Sequence, residues 1–187
     1  MLRKSLMLLV AAGLLAMLGL AASALFTSQA TVTGNSFTTG SLVLTASPTS
    51  AAITLSNMAP GDKVTAPITL SNDGTLDLRY AMASSSTNTD NKNLNGQLVL
   101  SIKSGVTDCT NTGFSGSGTS VFSGSLSAAQ FGDPATGQQA GDRALSAGAN
   151  EVLCFNASLP VDTGNAFQNA ATTATFTFDA EQVKNNP

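Results

Sequence analysis

From Leu42 to the C-terminus, the apolar residues of this 187-residue chain recur at every second position and almost nowhere at helical spacing. A period of two sends successive side chains to opposite faces of an extended backbone, so it selects half-buried β-strands. Leu42 and Leu44 alternate with Ser41 and Val43, and Ile53 and Leu55 follow. Val64, Ile68 and Leu70 line one face of the next segment, where Pro67 predicts an edge position or a bulge. Leu76, Leu78, Tyr80 and Met82 form the cleanest alternation, with Asp77, Arg79 and Ala81 expected outward. Leu98, Leu100 and Ile102 continue the pattern, as do Leu153, Phe155 and Leu159, and finally Ala174, Phe176 and Phe178. Pro60-Gly61-Asp62 is a turn signal, and Asn72-Asp73-Gly74 predicts a tight hairpin. Residues 104–118 are rich in Gly, Ser and Thr and are expected to be irregular, while Ser125 to Phe131 predicts a short helix. At least seven short strands joined by polar connections predict an all-β fold, a two-sheet sandwich of jelly-roll or immunoglobulin-like type.

The N-terminus predicts a signal helix ahead of that sandwich. Arg3 and Lys4 precede an apolar run from Leu6 to Leu20, and Ala22-Ser23-Ala24 supplies the small-x-small pattern that signal peptidase cuts. Cleavage after Ala24 is expected, with Ala22 and Ala24 as its recognition residues; a retained membrane anchor is the alternative. The expected organisation is a signal peptide over 1–24, an extended segment over 25–36 and a β-sandwich over 37–187. Without Arg3 and Lys4 the exported chain keeps six of its 8 basic residues against 11 acidic ones, a net charge of −5. With no basic patch to neutralise phosphates, nucleic acid is excluded as a partner. Cys109 and Cys154 are an even count in an exported chain and are expected to bond, pinning a polar loop to a strand; two buried free thiols are the alternative.

Catalytic chemistry finds little support. The chain has no histidine, which removes His-based nucleophilic triads and the common zinc sites. Asp73 and Asp77 flank a turn, and Asp133 and Asp142 lie in a loop, too sparse for a calcium loop. No cofactor, metal site or enzyme activity is expected. Asn156-Ala157-Ser158 fits a glycosylation sequon but falls within a predicted strand.

Phe37-Thr38-Thr39-Gly40-Ser41-Leu42-Val43-Leu44 is followed by Leu55-Ser56-Asn57-Met58-Ala59-Pro60-Gly61-Asp62 and then by Leu70-Ser71-Asn72-Asp73-Gly74-Thr75-Leu76. This order, carried by Phe37, Gly40, Asn57, Pro60, Gly61, Asp62, Asn72 and Gly74, resembles the TasA/camelysin family of secreted bacterial proteins. The similarity covers roughly residues 20 to 82. It implies a jelly-roll subunit of extracellular fibres in a biofilm matrix, assembled by donor-strand exchange. Residues 25–33 suit the donor: Phe26, Ala30 and Val32 share one face after Leu25, and the segment has no charge, Pro or Gly. The alternative is an ordinary first strand of its own sandwich. The expected partners are further copies of the chain, head to tail, with signal peptidase acting on the precursor and accessory matrix proteins as candidates. A monomeric surface adhesin is a rival reading, and a camelysin-like metalloprotease a weaker one.

Overall fold

A computed structural model describes residue 34 and residues 36–50, 52–53 and 57–186. The signal-cleavage residues Ala22 and Ala24, the donor residues Leu25, Phe26, Ala30 and Val32, and Leu55 lie outside the described residues. The chain divides into two units, Met1–Thr38 and Thr39–Pro187, and the second carries the described strands. These are β1 (Leu44–Ser47), β2 (Lys63–Asn72), β3 (Leu78–Ser86), β4 (Val99–Ser104), β5 (Thr119–Ser125), β6 (Gln130–Phe131), β7 (Arg143–Leu145), β8 (Asn150–Ser158) and β9 (Ala174–Gln182).

They form the two antiparallel sheets of a sandwich. One runs β1-β2-β8-β4-β5; the other is built on β3. β9 pairs with the whole of β3 from Leu78 to Ser86, so β6 and β7 share its opposite side at different heights. The chain passes between the sheets repeatedly, as jelly-roll connections do. Leu70, Leu78, Tyr80, Met82, Leu100, Ile102, Leu153 and Phe155 are fully buried between the sheets. Phe155 meets Phe176 at 5.0 Å between ring centroids, and Tyr80 sits edge-on to Phe131 at 6.0 Å.

Asn72-Asp73-Gly74 is not a hairpin. β2 and β3 belong to different sheets, so these residues turn a corner between layers. Asn72 is 0 % exposed, and its polar atoms are all partnered. Its N–H donates to the Ala149 carbonyl and its own carbonyl accepts from the Gly148 N–H. Its Nδ2 donates to the carbonyls of Leu76 (2.8 Å) and Leu145 (3.1 Å), and its Oδ1 accepts from the Gly74 N–H. Two glycines let the chain ahead of β1 close over this corner. A Cβ on Gly74 would lie 2.5 Å from the Ser41 carbonyl oxygen, and one on Gly40 would lie 2.5 Å from Leu76 Cδ2.

The other departures from expectation have local causes. Arg79 and Ala81 are 5 % and 2 % exposed instead of facing solvent: Glu181 and the Asn186 carbonyl accept from Arg79, and Gly132 is pressed against Ala81. Leu42 and Leu76 precede β1 and β3, and Ile53 lies outside the strands. Ser125 to Phe131 holds only a 3₁₀ turn, Leu126–Ala128, before β6. Pro67 sits where its residue type predicts: β1 pairs β2 only from Thr69 onward, which leaves Pro67 on an unpaired flank among the described residues. Cys109 and Cys154 are bonded, fastening the 105–118 loop to β8. Closing the span between them, with a sequence separation of 45, stabilises the fold by about 4 kcal/mol in the chain-entropy treatment.

Replacing Asn72 with Ala removes the side-chain donor to the Leu76 and Leu145 carbonyls and the acceptor of the Gly74 N–H. The Asn72→Ala protein is expected to lose about 3 kcal/mol of stability, read as a lower urea midpoint.

Candidate functional site: an open apolar groove

The two ends of the sandwich are built from different chemistry. In β2 the inward residues are Val64, Ala66, Ile68 and Leu70, running from one end to the other. β8 runs antiparallel beside it, so Ala157 faces Val64 at one end and Glu151 faces Leu70 at the other. β9 follows the same axis, with Phe176 at the first end and Ala180 at the second.

Among the described residues, the first end is open. Ile53, Val64, Leu100, Leu126, Ala157 and Phe176 line a cavity of about 370 Å³ between the sheets. A second hollow of about 510 Å³ shares Met58, Leu98 and Thr172 with it and extends towards Phe167. Two strand flanks border this opening. Residues 63–68 of β2 have no partner on the β1 side, and β9 is paired on its β3 side only, among the described residues. The β2 flank follows from strand length, since β1 is four residues long against ten for β2. From Ala174 to Phe178 the β9 edge carries no charge, Pro or Gly, the residues that usually discourage a sheet edge from pairing.

The rim of the opening is held by the Pro60-Gly61-Asp62 turn. The Ala59 N–H donates to Asp62 Oδ2, the Gly61 N–H to the Leu159 carbonyl, and the Leu159 N–H to the Asp62 carbonyl. Gly61 takes a φ of +95°, which excludes most other residues. Asn57, with a φ of 56°, starts the approach to the same turn. These four motif residues therefore fix where β2 begins beside β8.

The second end is sealed by polar groups. The Tyr80 hydroxyl donates to Glu151 at 2.6 Å, and Arg143 donates to the same carboxylate through two guanidinium nitrogens. Tyr80 and Arg143 belong to one sheet and Glu151 to the other, so the trio ties the layers together. Burial, helped by the hydrogen bond to Glu151, pushes the Tyr80 hydroxyl above the ordinary tyrosine range. Burial also works against ionised Glu151, but the hydrogen bonds from Arg143 and Tyr80 outweigh it and hold its carboxyl below the usual range. Glu181 is lowered by the Arg79 guanidinium, with help from Asn186 and the Gly137 N–H.

Of the motif residues, Gly40, Gly74 and Asn72 meet at the corner, while Asn57, Pro60, Gly61 and Asp62 meet at the rim. Phe37 joins neither: it is 96 % exposed and precedes the strands. The groove and the Tyr80–Glu151–Arg143 trio were not anticipated. A signal for the trio existed, since charged residues make up only 10 % of the chain and Glu151 lies two residues before the buried run that starts at Leu153.

The sequence model of the camelysin metallo-endopeptidase family matches residues 1–111, more than half of the chain. No curated protein matches it. A catalytic metal of the kind that description implies needs about three protein ligands drawn from His, Cys, Asp or Glu. The chain has no His, and both cysteines are in the disulfide. Among the described residues, which include every Asp and Glu, no three such side chains come together. The residues do not fit a catalytic metal.

The sealed end sets a pH dependence. Glu151 has a folded pKa below its unfolded one, so its contribution is present above the ordinary value of 4.5 and is lost as pH falls through the lowered value. Tyr80 has a raised folded pKa, so its contribution is present below its ordinary value of 10.0 and is lost as pH rises beyond it. Urea midpoints are expected to be flat between these limits and to fall on either side, with Glu151→Gln lowering the plateau and flattening the acid limb.

Proposed function

The chain belongs to the camelysin family, and from that premise we propose that it is a secreted, non-catalytic structural subunit of extracellular filaments. The observation that carries this reading is the apolar opening bordered by the edge of β9 that is unpaired among the described residues. A strand laid along that edge gains main-chain hydrogen bonds, and its alternate side chains enter the space above Val64, Leu100 and Phe176. Residues 25–33 have the matching pattern: uncharged, without Pro or Gly, and with Phe26, Ala30 and Val32 at positions that share one face of a strand.

In this reading, signal peptidase cuts after Ala24 and frees residues 25–33, and that segment of one copy completes the second sheet of the next. Such a contact joins different surfaces on the two copies and does not close on itself, so it builds a filament. The product is extracellular, as a matrix or cell-surface fibre. An adhesin reading is less well supported, because the only Tyr is buried and the chain has no Trp to form a sugar-stacking platform.

Purified protein starting at Leu25 is expected to form filaments visible by electron microscopy. Protein lacking residues 25–33 is expected to stay folded and monomeric by light scattering, and to bind a synthetic peptide of residues 25–33. Filaments of normal appearance from the truncated protein would overturn the proposal.

A further inference from the structure

We propose that Phe37 is a contact between copies: its ring packs against the neighbouring copy that takes up residues 25–33. This rests on the donor-strand reading and adds to it a specific interface outside the groove.

A single exposed apolar residue on a protein surface needs no explanation. Phe37 differs because the chain on both sides of it is committed. On its C-terminal side the chain is fastened to its own sandwich from Gly40 onward. Gly40 is pressed against Leu76, the Ser41 N–H donates to Thr75 Oγ1 at 2.9 Å, and the Ser41 carbonyl accepts from the N–H groups of Thr75 and Leu76. On its N-terminal side, residues 25–33 lie in the next copy. Only residues 34–39 join the two, and six residues reach at most about 20 Å. Neighbouring sandwiches joined by so short a tether abut, and Phe37 lies three residues from the fixed end.

The surroundings suit burial. Between Lys4 and Asp62 the chain contains no charged residue, so bringing this stretch against another copy removes no ion of its own from water. Leu42 and Val43, just beyond the fastening point, are 40 % and 41 % exposed. Within a single copy the Phe37 ring is 96 % exposed, so covering it releases nearly its full apolar area. That corresponds to about a 10- to 100-fold gain in association.

The chain has no tryptophan, so Phe37→Trp installs a sole fluorescent reporter at the proposed contact. Emission is expected to be that of a solvated indole in the monomer. On assembly it should shift to the blue, with acrylamide quenching reduced several-fold. In parallel, Phe37→Ser should melt at the same temperature as the parent but need about 10- to 100-fold more protein to form filaments. Trp emission unchanged on assembly, or an unchanged critical concentration for Phe37→Ser, would overturn the Phe37 assignment. The deletion of residues 25–33 separates the two ideas. Filaments that survive it sink the donor reading, whereas filaments lost on deletion but indifferent to Phe37 sink only this inference.

Discussion

The buried amide of Asn72 is the constraint on which the remaining architecture depends. With both main-chain groups and both side-chain atoms engaged, it holds the ends of three segments, at Leu76, Leu145 and Gly148–Ala149, around one point. A corner so held sends β2 into one sheet and β3 into the other, and it sets the register in which Tyr80 meets Glu151. Removing one side of such a buried arrangement costs more than its net contribution suggests, because the stranded partners cannot reach water. Gly40 and Gly74 then follow as consequences: the chain entering β1 crosses the corner too closely for a Cβ.

The same strands that are locked at this end are left apart at the other. Polar groups with directional demands specify one geometry at the Asn72 end, where Tyr80, Arg143, Glu151, Arg79 and Glu181 are all partnered. At the far end the lining is aliphatic and aromatic, and a hollow of about 370 Å³ separates Val64 and Leu100 from Phe176. Protein interiors are ordinarily packed with few voids larger than a water molecule. Among the described residues, the sandwich closes one end with hydrogen bonds and leaves the other open, a form that suits the proposed uptake of a strand.

Most strands were legible because their alternation is strict, as in Leu98-Leu100-Ile102 or Ala174-Phe176-Phe178. β5 was not, since Thr-Ser-Val-Phe-Ser-Gly-Ser resembles the loop before it, and β7 is only three residues long. The Asn72-Asp73-Gly74 corner was misread as a hairpin because both need a residue able to turn sharply, and only the tertiary partners of Asn72 distinguish them. Arg79 and Ala81 broke the inward–outward rule because the C-terminal tail covers Arg79 and the Gly132 segment covers Ala81. The residues that carry the camelysin resemblance divide between the corner and the rim, apart from Phe37. The resemblance could not locate the groove, whose walls come from β2, β4, β8 and β9, far apart in sequence and partly beyond the 1–111 match.

The measurement that bears most directly on this account is amide hydrogen exchange of β9, compared between monomer and assembled protein. The account predicts that the Ala174–Phe178 amides pointing away from β3 exchange freely in the monomer and slow by more than about 100-fold on assembly, as edge groups do once paired. Unchanged exchange along β9, with new protection only elsewhere, would contradict it.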